Sequence, residues 1–209
     1  MRITFLVDGF NLYHSILKLK ETTGYSAKWL DLYSLCKSYL HLFGKNAALV
    51  DVFYFSAIPT YLATRDPDKI QRHHLYIKCL EHTGVQVVLG RFKNKDVYCS
   101  RCKSMILKHE EKETDVAIGV KPFELFIKNL CDTVVIISGD TDLVPAIATC
   151  KAVFSQKKIV FAFPYARKSK ELLRLAPGSF EISKKQYINN LLPNPVKIKG
   201  GDIYKPVNW

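Results

Sequence analysis

Apolar runs alternate with amphipathic stretches along most of the chain. Runs rich in β-branched and aromatic residues predict five buried strands, over residues 3–7, 49–55, 85–89, 133–137 and 158–163. The intervening stretches predict helices over residues 11–20, 30–43, 66–82 and 114–130, from Asp142 onward, and over 168–175. Residues 179–182 are predicted as an edge strand. Apolar strands separated by helices are typical of an α/β fold, with a mainly parallel sheet covered by helices on both faces.

Two segments depart from this alternation. Residues 91–111 are polar and basic and contain a C-x-x-C pair, which predicts a small hairpin or knuckle inserted on the surface. From Pro193 onward the chain is rich in Pro, Lys and Gly, so it is expected to pack loosely or to be disordered. The predicted organisation is one domain over residues 1–190, with an insert at about 91–111, followed by a C-terminal tail over 191–209.

The net charge of the chain indicates what kind of molecule it binds. Lys and Arg total 31 against 19 acidic residues in a chain of 209, giving a net charge of +12. Such an excess favours a nucleic acid partner over basicity that serves solubility alone. No run approaches the roughly 20 apolar residues that span a bilayer. Asp8 precedes any signal-peptide core, so no membrane association and a cytoplasmic location are predicted.

Acidic residues stand where the predicted strands end. Asp8 ends the first strand, Asp140 and Asp142 follow the strand over 133–137, and Asp115 begins the helix before that strand. Ligands of open α/β sheets bind beyond the carboxyl ends of the strands, so these four side chains are expected to converge. Clustered carboxylates repel unless a cation neutralises them, and oxygen ligands select Mg²⁺ or Mn²⁺.

Such a site suits phosphoryl chemistry, because the metal polarises a phosphate and lowers the pKa of a bound water. Asn11, one helical turn beyond Asp8, offers an amide to a ligand water or a phosphate, and Ser138 is predicted to face the phosphate. Taken singly, Asp142 could be a helix N-cap, Asp115 a first-turn acid and Asp8 part of a turn. Two apolar strands that both end in acids favour the metal site.

Three segments carry a resemblance to a known family. FLVDGFNLY (5–13), ETDVAIGV (113–120) and VVIISGDTDLVPAI (134–147) resemble the NYN domain family of the PIN-like nuclease superfamily, and within it the LabA-like bacterial proteins. The resemblance covers roughly residues 1–165. It implies a Rossmann-like sheet, one or two divalent ions and RNA cleavage. It also implies Asp8, Asp115, Asp140 and Asp142 as acidic ligands, with Asn11 as their polar partner.

One position departs from the family pattern. Members of the family often carry a second acid about six residues beyond the one matched by Asp115, and this chain has Lys121 there. A lysine facing the crevice could neutralise a carboxylate, weaken a second metal site or contact a substrate phosphate. One well-held metal is therefore predicted rather than two.

The C-x-x-C pair admits two interpretations. Cys99 and Cys102 have the spacing of half a zinc knuckle, and His109 is the nearest further ligand candidate. A symmetric homodimer could supply two more cysteines for Zn²⁺. Paired cysteines before the ETDV-like motif also resemble LabA-like insertions. The alternative is a surface hairpin with two free thiols.

Basic residues accompany the pair. Arg91, Lys93 and Arg101 lie in the insert beside Phe92 and Tyr98, and a second basic group follows the last parallel strand at Arg167 and Lys168. Cations interleaved with aromatic rings can hold a phosphate backbone and stack a base. A solvated hairpin face is the alternative, but the position directly before Asp115 favours substrate guidance.

The favoured function is a metal-dependent endoribonuclease that cleaves single-stranded RNA and leaves a 5′-phosphate. One alternative is an RNA-binding or regulatory protein with weak or no catalysis, which Lys121 would favour. A phosphatase or phosphotransferase is less favoured, because an aspartyl-phosphate motif would place an acid at position 10, where Phe10 stands. No G-x-G-x-x-G follows the first strand, which disfavours dinucleotide binding.

Overall fold

The computed structural model describes residues 1–207 and Trp209; Asn208, within the predicted tail, lies outside the described residues. The strands of the main sheet are β1 Arg2–Asp8, β2 Ala48–Ala57, β3 Val85–Cys99, β4 Ser104–Lys112, β5 Thr133–Ile137, β6 Lys158–Phe163 and β7 Phe180–Glu181. The helices are α1 Gly9–Thr23, α2 Leu32–Ser38, α3 Pro67–His82, α4 Thr114–Ile127, α5 Val144–Val153, α6 Lys170–Leu175 and α7 Lys184–Asn189. A short hairpin of β8 Val196–Ile198 and β9 Gly201–Ile203 follows.

The main sheet has the order β4-β3-β2-β1-β5-β6-β7. Every neighbouring pair is parallel except β3 and β4, which are antiparallel. The chain proceeds from β1 towards β3 on one side and from β5 towards β7 on the other. The order therefore reverses between β1 and β5, and a crevice opens beyond their carboxyl ends. The predicted mainly parallel α/β sheet is confirmed.

Helices cover both faces of the sheet. Ile3, Phe5 and Val7 of β1 pack in one core with α1, α2 and α3, whereas Leu6 packs in the other with α4, α5 and α6. Successive side chains of a strand point to opposite faces, so a strand covered on both faces is apolar at every position. Among the helices of the described residues, none combines the length and apolar character needed to cross a membrane.

Side-chain caps define where several helices begin. The carboxylate of Asp8 accepts a hydrogen bond from the backbone of Asn11 at the start of α1, and Asp66 caps α3 ahead of Pro67. The helix predicted over 30–43 is shorter: α2 ends at Ser38 and a 3₁₀ turn follows over Leu40–Phe43. Asp142 lies in a 3₁₀ turn, Thr141–Leu143, that precedes α5.

The sequence predicted either a hairpin or a knuckle for the insert, and the structure shows an antiparallel hairpin. β3 continues through Arg91 to Cys99 and pairs with β4, in a register that runs from Arg91 opposite Lys112 to Cys99 opposite Ser104. The strand predicted over 85–89 is therefore only the inner part of β3. The outer part is mostly polar and exposed, so no apolar run marks it, and the sequence predicted a hairpin or knuckle there without strand bounds.

The C-terminal tail does not pack loosely, so that expectation is wrong. Val196 and Ile203 are buried in the core on the α1 side. The ring of Trp209 lies 5.6 Å from that of Trp29 and 5.4 Å from that of Tyr76, measured between ring centroids. The Pro, Lys and Gly content misled the prediction because a few large apolar side chains suffice to anchor a short segment.

Candidate metal centre

Three carboxylates converge at the crevice between β1 and β5. Asp8 is the last residue of β1, Asp140 follows β5, and Asp115 lies in the first turn of α4. One oxygen of each side chain lies within 4.8 Å of the others. Asp8 is buried, Asp140 is half-buried and Asp115 is exposed, so the group opens from the sheet towards solvent. Three of the four predicted acids are brought together.

Asp8 is fixed by two hydrogen bonds. The backbone N–H of Asn11 donates to Oδ1 at 2.9 Å, and the hydroxyl of Ser138 donates to Oδ2 at 2.7 Å. Burial, with a smaller contribution from the charges of Asp115 and Asp140, nevertheless raises the pKa of Asp8 to about 6 against these hydrogen bonds. A carboxylate that is costly to ionise in this position gains from a nearby cation.

Ser138 and Asn11 hold the loop that carries Asp140. Ser138 is fully buried, and its Oγ accepts from the backbone of Asp140 at 3.1 Å while donating to Asp8. Oδ1 of Asn11 accepts from the backbone of Gly139 at 3.0 Å. Both residues were predicted to face a phosphate or a ligand water. In the structure Ser138 is enclosed and bonded to Asp8 and Asp140, and the Asn11 oxygen is bonded to Gly139, so both position the acids; their contact with a phosphate or a ligand water stays a prediction.

Gly139 is required by a close approach of two backbones. A Cβ at this position would lie 1.8 Å from the carbonyl oxygen of Arg167. The segment that follows β6 therefore packs directly on the loop between β5 and Asp140. This contact brings Arg167, a predicted substrate contact, to the edge of the acid group.

Asp142 lies beside the group rather than in it. Its backbone N–H donates to Oδ1 of Asp140 at 3.1 Å, and its exposed side chain is not among the three converging oxygens. Its charge still reaches the site: burial first, then Asp140 and Asp142, raise the pKa of Asp115. The capping side chain at this turn is that of Asp140 and not that of Asp142, so Asp142 contributes its charge to the site but no cap.

Glu111 is a further acid that the sequence prediction missed. Burial raises its pKa to about 7, followed by the charge of Asp115 and, more weakly, that of Asp8. Its buried Oε1 has no hydrogen-bond partner among the described residues. The signal was its place in EEKETD, just before the ETDV motif. It was overlooked because the whole 91–111 segment was treated as a surface insert.

These observations fit a hard divalent cation. The donor set is entirely oxygen, and burial and neighbouring charges raise the pKa values of Asp8, Asp115 and Glu111. Glu111 also has a buried oxygen with no hydrogen-bond partner among the described residues. The residues that could hold the ion are Asp8, Asp115 and Asp140, with Glu111 and Asp142 at the margin.

Lys121 does not face the crevice. Its ammonium group lies 2.6 Å from Glu124 and 4.8 Å from the centroid of the Phe53 ring. Six residues along an α-helix correspond to a rotation that leaves Lys121 about 120° away from Asp115. The expected neutralisation of a site carboxylate by Lys121 is therefore not what the structure shows.

The structure separates His109 from the two cysteines. His109 lies opposite Asn94 in the hairpin, bonds to its side chain at 2.8 Å and stacks on Tyr61. Cys99 lies five register positions away, roughly 17 Å along the strand. Cys102 lies 2.9 Å from the hydroxyl of Ser104, and this contact, followed by one with Cys99, lowers the pKa of its thiol. The hairpin tip thus presents two thiols together, and a zinc site there stays a prediction.

The predicted basic contacts divide into two groups. Arg91 pairs with Glu113 at 2.6 Å and Lys168 with Glu181 at 2.7 Å. The other three are exposed and form no ion pair with any described residue: Lys93, Arg101 and Arg167. The second group is the one available to a polyanion.

Comparison with known proteins identifies a family match and one curated relative. The family model described as the NYN domain matches residues 2–183. Among curated proteins, 6-hydroxy-3-succinoylpyridine 3-monooxygenase HspA of Pseudomonas putida is 24% identical over 180 residues, which is 73% of this chain and 56% of that protein. The chain thus spans little more than half the length of this relative, whose name describes its own activity.

A solved structure shares the fold. A protein of unknown function from Vibrio parahaemolyticus superposes with a TM-score of 0.54 and 22% identity, covering 88% of this chain and 93% of that one. At this identity the likeness concerns the fold alone.

Proposed function

Because the chain belongs to the NYN domain family, within the PIN-like nuclease superfamily, we propose that it is a divalent-metal-dependent endoribonuclease acting on single-stranded RNA. The observation that carries the proposal is the convergence of Asp8, Asp115 and Asp140 at the strand ends, with oxygens within 4.8 Å of one another. The LabA-like branch remains a prediction.

Each residue of the site has a defined task in this proposal. Asp8, Asp115 and Asp140 would hold Mg²⁺ or Mn²⁺. When bound, such a cation polarises the phosphodiester as a Lewis acid and neutralises the negative charge that develops on its oxygens during cleavage. Ser138 and Asn11 keep Asp8 and the Asp140 loop in register. Glu111, whose buried Oε1 has no hydrogen-bond partner among the described residues, would be available to accept the proton of the attacking water.

The proposed RNA substrate is supported by the net charge of the chain and by the exposure of its basic side chains. The net charge of +12 favours a polyanion, and Lys93, Arg101 and Arg167 are exposed around the crevice and along the hairpin. Phe92 and Tyr98 on the same hairpin offer rings to unpaired bases, which favours single-stranded over double-stranded RNA. We place this activity in the cytoplasm.

The test is cleavage of a labelled single-stranded RNA by the purified chain, with Mn²⁺ or Mg²⁺ and with EDTA. Asp140→Asn is expected to lower the rate at least about 100-fold, because one of three ligands to the cation loses its charge. Asp68→Asn, an exposed acid in the first turn of α3, is the matched control and should leave the rate unchanged.

Two outcomes would contradict the proposal. Cleavage that persists in EDTA or in Asp140→Asn would exclude the metal assignment. Salt-dependent RNA binding without cleavage, with either metal, would instead support the RNA-binding alternative.

A further inference from the structure

A cavity lies beside the acid group, between α1, α3 and the carboxyl end of β2. Its volume is about 210 Å³. Drug-sized ligands occupy pockets of roughly 300–1,000 Å³, so this cavity suits a single planar ring system.

The walls of the cavity are mainly aromatic. Tyr13, Tyr54, Tyr61 and Phe92 line it, and the Phe92 ring meets that of Tyr61 edge to face at 5.0 Å. Tyr13 and Tyr61 are 39% and 37% exposed, although they lie over an apolar pocket. Tyr61 stacks on His109 on the other side, and partly exposed rings that line an apolar cavity suit a stacked heteroaromatic ligand.

Cations gather on one side of the same cavity. Lys28, Lys69 and Arg72 all line it. The only carboxylate paired with any of them among the described residues is Asp66, 4.0 Å from Arg72. Burial, then the charges of Lys20, Arg72 and Lys69, lower the pKa of Lys28, so these groups repel one another. A bound anion would relieve that repulsion.

Neutral polar groups complete the lining. Nε2 of His73 lies 3.4 Å from the hydroxyl of Ser56, and both residues line the cavity. Burial lowers the pKa of His73 to about 4, so its ring is neutral near pH 7 and can offer a hydrogen bond to the edge of a base.

The cavity and the acid group share a wall. Gly9 lines the cavity and directly follows Asp8. Phe92 lines it too, and it lies opposite Glu111 in the β3–β4 register. A nucleotide in the cavity would therefore be next to the acids along the same strand ends.

We propose that this cavity binds one nucleotide, with its base among the aromatic side chains and its phosphate against Lys28, Lys69 and Arg72. The nucleotide belongs to the RNA chain, adjacent to the cleaved bond. That source rests on the proposed ribonuclease function, whereas nucleotide binding by the cavity does not.

The test uses the full chain with Asp140→Asn, which leaves the cavity lining intact and prevents cleavage of the probe. Calorimetry compares adenosine 5′-monophosphate, adenosine, inorganic phosphate and a short single-stranded oligoribonucleotide. The monophosphate is expected to bind at least about 10-fold more tightly than adenosine or phosphate, because only it engages both parts of the cavity.

Substitutions localise the binding. Adding Lys69→Ala and Arg72→Ala together is expected to weaken binding of the monophosphate at least about 10-fold. Tyr13→Ala is expected to reduce the difference in affinity between the monophosphate and inorganic phosphate. Lys78→Ala, an exposed position on α3 outside the cavity, is the matched control. Thermal unfolding of each variant confirms that these surface changes leave the fold intact.

The outcomes separate the two proposals. Monophosphate binding that is undetectable, or unchanged in Lys69→Ala/Arg72→Ala, would overturn the cavity assignment even if the wild-type chain cleaves RNA. Weakening by the double substitution, in a chain that cleaves no RNA, would support the cavity and reject the ribonuclease. If the Lys69→Ala/Arg72→Ala variant also binds the oligoribonucleotide more weakly, and the monophosphate displaces the oligoribonucleotide, the nucleotide in the cavity belongs to RNA. If the double substitution leaves oligoribonucleotide binding unchanged and the monophosphate does not displace it, the RNA source is overturned.

Discussion

At the residue scale, three acids of the crevice have raised pKa values in the folded chain. Burial is the first cause of the raised pKa values of Asp8, Glu111 and Asp115, and their charges reinforce one another. Proteins tolerate such groups where a ligand or a reaction uses them. The same groups make the stability of the metal-free chain depend on pH.

The predicted pH dependence follows from the sign of these shifts. Asp8 shifts from 3.8 to a pKa of about 6 and Glu111 from 4.5 to a pKa of about 7 in the folded chain. Between about pH 4 and pH 7 the folded chain therefore binds more protons than the unfolded chain. These groups lower the free energy of unfolding as the pH rises through that window. Urea denaturation in EDTA at pH 5 and pH 8 measures the change.

Glu111→Gln is the variant that isolates the upper part of this window. It should flatten the decline between about pH 6 and pH 7.5, and adding Mn²⁺ should raise the stability of the wild-type chain more at pH 8 than at pH 5, since the metal needs ionised ligands. A metal-free chain that becomes more stable as the pH rises, with no difference in Glu111→Gln, would refute the assigned cause.

Individual site residues differed in how well the sequence revealed them. Asp8 and Asp140 could be found because each ends an apolar strand, a position that topology brings to one edge of the sheet. Glu111 could not, because its approach depends on the register of an inserted hairpin. Lys121 was considered for the crevice from the family pattern alone, whereas its six-residue spacing from Asp115 already places the two about 120° apart on α4, and the structure pairs Lys121 with Glu124.

At the scale of elements, the contact between the loop after β5 and the segment after β6 positions Asp140. Gly139→Ala is expected to destabilise the chain by about 1–3 kcal/mol and to lower Mn²⁺ affinity, because the added Cβ would overlap the Arg167 carbonyl. Gly178→Ala is the control, since its nearest neighbouring atom would be 4.0 Å away. Equal unfolding free energies for the two variants would show that the loop yields without cost.

The thiol pair at the hairpin tip belongs to the same scale. Because His109 lies far along the strand, one chain presents Cys99 and Cys102 as its two ligands there. Zinc bound at the tip is therefore expected at one ion per two chains, in a homodimer that Cys99→Ser dissociates. Metal analysis with light scattering measures both. Zinc at one ion per monomer, or a monomer free of zinc, would contradict this arrangement.

Prediction of the elements succeeded where local pattern and burial agree. The inner strands β1, β5 and β6 are covered on both faces, so their apolar runs were unambiguous. The outer half of β3 has two solvent-facing sides and carries no such signal. The tail failed for a third reason: its packing depends on Trp29 and Tyr76, more than a hundred residues earlier in the chain.

At the scale of the whole molecule, the net charge of +12 predicts binding that depends steeply on salt. In the Asp140→Asn background, the slope of log affinity for single-stranded RNA against log salt should fall in magnitude by about 0.7 for each phosphate contact removed. Arg101→Ala and Arg167→Ala are expected to do this. Lys45→Ala, just before β2 at the opposite end of the strands, should not; a change as large in that variant would indicate diffuse attraction rather than a defined path.

The length of β3 has a mechanical consequence. One uninterrupted strand runs from the body of the sheet to Cys99, and its outer part, from Arg91 onward, extends roughly 26 Å. If the tip is displaced, the edge of the sheet is the expected pivot of the motion. Phe92 and its cross-strand neighbour Glu111 stand next to that pivot. A second chain or a length of RNA bound at the tip is therefore expected to shift both Phe92 in the cavity wall and Glu111 beside the metal centre.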